Sequence, residues 1–172
     1  MLLPKMSGVM RKYEKLNSLK KRLQQMKQNR TTRQNGQTFH FSTFSRKQNQ
    51  VLTWWCKDSP VHDKDGIIAD GAIRSGKTVS MSLSFVMWAM SIFNGQNFAM
   101  CGKTIGSFRR NVLFWLKLML KSRGYSVTDR RADNLIIIRK GDTENYFYIF
   151  GGKDERSQDL IQGITLAGVF FD

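Results

Sequence analysis

Cysteine is scarce in this chain of 172 residues, which holds only Cys56 and Cys101, and these form no CxxC spacing. That excludes a disulfide framework. His40 and His62 do not cluster with the thiols, so no zinc site is indicated. A reducing interior is therefore expected. Long apolar runs are missing as well: the longest, Phe85 to Phe93, is broken by a serine. It falls far short of the roughly 20 residues a membrane span requires. The beginning of the chain lacks the apolar core of a signal peptide, so a soluble, cytoplasmic protein without a membrane partner is expected. The sequence shows no internal repeat and no low-complexity tract.

Acid is the other shortage. Thirteen Asp and Glu stand against 28 Lys and Arg, a formal net charge of +15. An excess of this size favours a polyanionic partner through phosphate neutralisation and counterion release, with nucleic acid ahead of an anionic membrane surface. The excess is unevenly placed: residues 1–36 hold ten basic residues against one acid, and the rest hold 18 against 12. What the chain has in quantity is apolar and aromatic residues, 41% of the total and including four Trp and twelve Phe. That is enough for one α/β domain with a buried core plus an extension.

Met6, Val9, Met10, Tyr13, Leu16, Leu19, Leu23 and Met26 recur at three- and four-residue steps. This predicts a basic amphipathic helix, which either packs on the core with a solvated Lys/Arg face or contacts DNA or a partner directly. The polar stretch 31–38 containing Gly36 reads as a linker, giving a basic helical extension over 1–36 and an α/β domain over 37–172. In RKQNQVLTWWCK, the residues Val51, Leu52, Trp54 and Trp55 are expected on one helix face. Strand and helix signals then alternate: IIADG, a helix over 77–93, NFAMC, and a helix over about 105–123. This is βαβ order, implying a parallel sheet covered by helices. YSVTD, NLIIIRK and YFYIF suggest an added β-hairpin. LAGVFFD reads as a buried strand ending on a carboxylate.

GAIRSGKT, residues 71–78, fits the phosphate-loop pattern GxxxxGK[ST] between an apolar strand signal and a helix signal. The glycines Gly71 and Gly76 let the backbone turn so that amides of Ala72, Ile73, Arg74 and Ser75 can face phosphate oxygens. The following helix adds its positive end. Lys77 is expected at the β and γ phosphates of ATP, and Thr78 on Mg²⁺. VFFD, some ninety residues on, has the form of a Walker B strand, with Asp172 holding the shell of the metal.

FSRKQNQVLTWW, DGAIRSGKT, CGKTIGSFRRNV and GGKDERSQDLIQGITLAGVFFD together resemble the large terminase subunits of tailed bacteriophages and prophages, over about 39–172. The NKxD element of GTPases is absent, and nucleotide kinases usually lack the KDERSQ segment. The resemblance implies a P-loop NTPase of the RecA-like (ASCE) type: an ATPase motor that moves double-stranded DNA into a procapsid in the cytoplasm of an infected bacterial cell. It also implies a ring of like subunits, with the small terminase subunit and the portal protein as partners. Residue by residue, Gln48 is similar to the glutamine that reads adenine, Arg74 to a loop arginine sensing the γ phosphate, and Arg156 to an arginine finger. Each has a plainer alternative, a helix cap for Gln48 and pairing with surface acids for the two arginines. Arg109 and Arg110 are expected to be solvated, with a DNA-facing role left open. A glutamate after Asp172, a strand between the phosphate-loop and Walker B strands, a coupling motif and a nuclease domain are expected from the family and lie outside this sequence. The resemblance therefore implies an incomplete sheet with a gap between its two central strands, and little or no ATP hydrolysis by the chain alone. Another P-loop helicase or translocase, or a non-hydrolysing binding module, is the competing reading.

Overall fold

The computed structural model describes residues 43–152 and 163–172. The expected basic helix, the 36/37 boundary and Arg156 lie outside them. The described chain belongs to a unit that begins at Thr43. Its elements run α1 (Arg46–Leu52), α2 (Lys77–Ile92), β1 (Asn97–Gly102), α3 (Ile105–Phe108), a π-helical segment (Arg109–Leu113), α4 (Phe114–Ser122), β2 (Ser126–Arg130), β3 (Leu135–Lys140), β4 (Thr143–Gly151) and β5 (Gly168–Phe171).

The five strands form one sheet in the order β2-β3-β4-β1-β5. β4, β1 and β5 are parallel, whereas β2, β3 and β4 are antiparallel neighbours. The expected parallel sheet and added hairpin are both present, but YFYIF belongs to the body of the sheet, as the parallel partner of β1. Gly141, with φ of 58°, and Asp142 supply the tight turn from β3 to β4.

The core forms where β-rich and helical apolar faces meet. Phe98 of β1 and its register partner Phe147 of β4 stack with ring centroids 5.1 Å apart, and Phe85 and Trp88 of α2 close over Phe98. Gly168, beside Phe98 on β5, has no room for a side chain: a Cβ there would meet the Trp88 ring at 2.8 Å. Three serines of α2 are buried without penalty because each finds a carbonyl: Ser80 donates to Gly76, Ser82 to Val79 and Ser84 to Val51.

Three expectations are corrected. Trp54 and Trp55 do not share a helix face with Val51 and Leu52, because α1 ends at Leu52 and successive turns run on through Ser59. β5 is half exposed: Phe170 is buried while Phe171 is 77% exposed, as an edge strand allows. IIADG joins no ladder among the described residues. A strand exists only against a neighbour within hydrogen-bonding reach. Here Ile67, Ile68 and Ala69 face Gly168–Phe171 across a cavity of about 980 Å³, with Ile68 98% exposed.

Candidate functional site

Residues 71–78 wrap around the amino end of α2. Gly76 is the N-cap of α2 with φ of 79°, a left-handed conformation that glycine adopts without strain. Arg74 takes the same region at φ of 64°, which a side chain adopts at a cost of about 1 kcal/mol or more. Its side chain is exposed, as are those of Ala72, Ile73 and Ser75. The first N–H groups of α2 have no carbonyl behind them in the helix, so its positive end opens into the loop.

The Lys77 ammonium donates to the carbonyl oxygens of Gly71 and Ala72, each at 2.7 Å, and approaches the Ser75 hydroxyl at 3.5 Å. It therefore sits inside the curve of the loop. The Gly71 N–H donates to the Asp70 carboxylate at 2.7 Å, which secures the entry to the loop.

Asp172 is brought to this place by β5. Its own N–H donates to the Cys101 carbonyl at 2.9 Å, carrying the parallel pairing with β1 one residue past the strand. Thr78 Oγ1 then donates to Asp172 Oδ1 at 2.6 Å, across 94 residues of sequence. Burial pushes the Cys101 thiol up, which favours its protonated form. A hydroxyl and a carboxylate at this spacing fit a hard divalent cation such as Mg²⁺, which prefers oxygen donors and takes few of them from the protein.

Of the residues expected to form the site, Gly71 through Thr78 and Asp172 converge. Gln48 also arrives, by a route the sequence suggested only in part. It is the N3 residue of a capping box: its Oε1 accepts from Ser45 N at 2.9 Å while Ser45 Oγ accepts from Gln48 N at 3.3 Å. Its Nε2 reaches 27 residues onward to donate to the Ser75 carbonyl at 2.9 Å.

Arg109 is not simply solvated: it donates to Asp129 Oδ1 at 2.7 Å and to Asn134 Oδ1 at 3.4 Å, while Arg110 is exposed. Sequence reasoning passed over Asn145. It is fully buried, donates to the carbonyls of Ala89 and Phe93 at 3.1 and 2.9 Å, and accepts from Gln96 N at 2.9 Å. The far end of α2 is thereby fixed to β4. The only signal was a lone Asn at the head of an apolar strand.

The chain is 69% identical to the large terminase of a thermophilic bacteriophage, whose structure superposes with a TM-score of 0.74 over 76% of this chain and 32% of that one. It belongs with the bacteriophage large terminases. The same phage's terminase solved with ADP matches at 68% identity and a TM-score of 0.71, over 75% of this chain and 32% of that protein. The form solved with ATP-γ-S matches at 64% and 0.70, over 76% and 31%. The chain thus spans about a third of the length of these relatives. No protein-family model matches it, and no match is found among curated protein sequences. The mixed α/β sheet with flanking helices is that of a P-loop NTPase. Among the described residues no helix is long and apolar enough to cross a membrane.

Proposed function

We propose that this chain is the ATP-binding part of a DNA-packaging motor, in which ATP hydrolysis by the terminase drives double-stranded DNA into a procapsid. The observation that carries the reading is the 2.6 Å hydrogen bond from Thr78 to Asp172, which joins the phosphate loop to the end of β5. Two segments remote in sequence share one oxygen-rich point beside the positive end of α2 and the Lys77 ammonium. A triphosphate with its metal needs this set of groups.

In this reading the amides of residues 72–76 and the end of α2 hold the phosphate chain. Lys77 leaves the Gly71 and Ala72 carbonyls for the β and γ phosphates, exchanging two neutral acceptors for charged ones. Thr78 and Asp172 would hold Mg²⁺, which when bound neutralises charge developing on the transferred phosphoryl group. Arg74, already turned outward in its left-handed conformation, is free to approach the γ phosphate. Arg156 is assigned the finger that reaches the nucleotide of a neighbouring subunit. The ADP and ATP-γ-S complexes of the thermophilic phage terminase support the choice of nucleotide. The high identity to terminases favours packaging over a helicase. Double-stranded DNA, a ring of like subunits, the small terminase subunit and the portal follow as partners, in the cytoplasm of an infected bacterium.

The test is calorimetric titration with ATP and Mg²⁺. Lys77→Ala should weaken binding by about ten- to a hundredfold, the equivalent of one or more charge-assisted hydrogen bonds at roughly 1.5–3 kcal/mol. Equal affinity in the two proteins would remove the phosphate loop from the account.

A further inference from the structure

A helix packed on a sheet needs one apolar stripe, turned to the core. α4 carries two. Leu116, Met119 and Leu120 are fully buried, while Phe114 and Trp115 turn the other way and are 51% and 37% exposed. At roughly 100° per residue, Phe114, Trp115, Leu118 and Lys121 share one outward arc of about 120°. The two rings meet edge to face with centroids 5.2 Å apart, and Leu118, which falls between them on the arc, is less exposed than either.

Charge frames this stripe. Residues 105–123 hold five basic side chains and no acid. Arg109 and Lys117 are spent on Asp129 of β2, and Arg123 turns back to donate to the Met119 carbonyl at 3.1 Å. Arg110, before the aromatic pair, and Lys121, after it, are exposed. An aromatic centre with a cationic rim is the anatomy of a protein interface, in which large rings supply the buried area and the rim selects the partner.

From this arrangement we infer that the outward stripe of α4 docks another protein, through an amphipathic helix of that partner with acidic flanks. An apolar stripe that follows a helix axis is complementary to a second helix laid beside it, and acids on that helix would meet Arg110 and Lys121. Duplex DNA would answer the two cations but offers its backbone nothing that buries Phe114 and Leu118. A second copy of the chain would set Lys121 and Arg110 against their own kind, in a molecule of net charge +15. An anionic lipid surface would meet the charges, but with Leu118 lower than the rings the stripe is a seat for a side chain instead of a wedge for acyl chains. The inference is independent of the reading of residues 71–78.

The experiment uses the full chain and a labelled, capped, monomeric peptide of about 20 residues, long enough to form a helix, with Leu and Ala along one face and Glu on both flanks. A second peptide has Lys in place of Glu. Fluorescence anisotropy should show binding of the Glu peptide well ahead of the Lys peptide. Phe114→Ser should weaken the Glu peptide by about tenfold or more, the loss expected when a large ring no longer fills its place. Lys121→Glu should weaken the Glu peptide by about three- to tenfold and strengthen the Lys peptide, a reversal that a merely structural side chain would not give. Both side chains are exposed, so the melting temperatures of the variants should match that of the unsubstituted chain.

Equal affinity for the two peptides, no binding of either, or unchanged affinity in Phe114→Ser would overturn the inference. So would a melting temperature lowered by Phe114→Ser, which would assign the ring to the fold. Binding to phosphatidylglycerol vesicles that is lost in Phe114→Ser would assign the stripe to a membrane surface instead, and self-association lost in the same variant would assign it to a second copy.

Discussion

Asp129 shows how much of this domain turns on single charges. Arg109 and Lys117 reach its two oxygens at 2.7 and 2.8 Å, and Arg131 lies 3.9 Å away. Burial pushes the carboxyl up, but the hydrogen bonds and charges of Lys117 and Arg109 outweigh it and hold the group below the usual carboxylate range. A carboxyl lowered in the folded state stabilises the protein above its unfolded pKa, and that contribution is lost as pH falls through the folded one. Asp129→Asn should therefore cost about 1–3 kcal/mol at neutral pH, by leaving half-buried cations poorly paired. The cost should shrink at acid pH, below the usual carboxylate range, where the native carboxyl also takes up its proton. Urea titrations of both proteins at neutral and at acid pH check this, and a penalty independent of pH would show that packing, not charge, is the source. The sequence displayed Arg109 as one of two adjacent arginines opening a helix. It could not display Asp129, because their pairing depends on bringing β2 alongside the π-helical segment.

At the scale of elements, α2 carries the site and is held at both ends. Thr78 fastens its beginning to Asp172, and Asn145 fastens its end to β4. Asn145→Leu keeps the volume but leaves the carbonyl of Phe93 and the N–H of Gln96 without their side-chain partner. It should destabilise the fold by about 2–6 kcal/mol, roughly 1–3 kcal/mol for each group stranded. Thermal melts read the result directly, and a change below about 0.5 kcal/mol would mean that other contacts secure this end.

The long elements were legible in the sequence because periodicity and apolar runs set them locally. The helices over 77–92 and 105–122 and the strands from Asn97 to Gly151 fall close to where the pattern puts them. The phosphate loop was legible because glycines, lysine and threonine occur in fixed order. What was not legible depended on neighbours. IIADG has strand composition but forms no ladder, and the length of α1 was set by the turns that follow Leu52. Gln48 offered two readings, and the fold adds a contact that neither contained, from its nitrogen to the Ser75 carbonyl.

For the whole molecule, charge is the dominant property. Residues 1–36 concentrate ten of the 28 basic side chains, among them Lys12, Lys15, Lys20, Lys21, Arg22 and Lys27. No base-reading motif accompanies them, so DNA affinity from this segment should be independent of sequence. Engaging four phosphates would give a slope of log affinity against log salt near about −3.6, at roughly −0.9 per phosphate. Deleting residues 1–36 should flatten the slope and weaken unrelated duplexes alike. If the shortened chain keeps the full slope, the α/β unit holds the DNA and the extension serves another partner.

On the proposed function, the loop at 71–78 and Asp172, separated by most of the α/β unit, form one site for a metal-bound triphosphate. The most direct measurement is a double-mutant cycle on ATP affinity, with and without Mg²⁺, using Thr78→Ala, Asp172→Ala and the two together. Each single change should weaken binding in the presence of Mg²⁺, and the double change should weaken it by clearly less than the sum of the two. All three variants should match the unsubstituted chain when the metal is chelated. Additive losses, or losses that persist without Mg²⁺, would contradict the shared site.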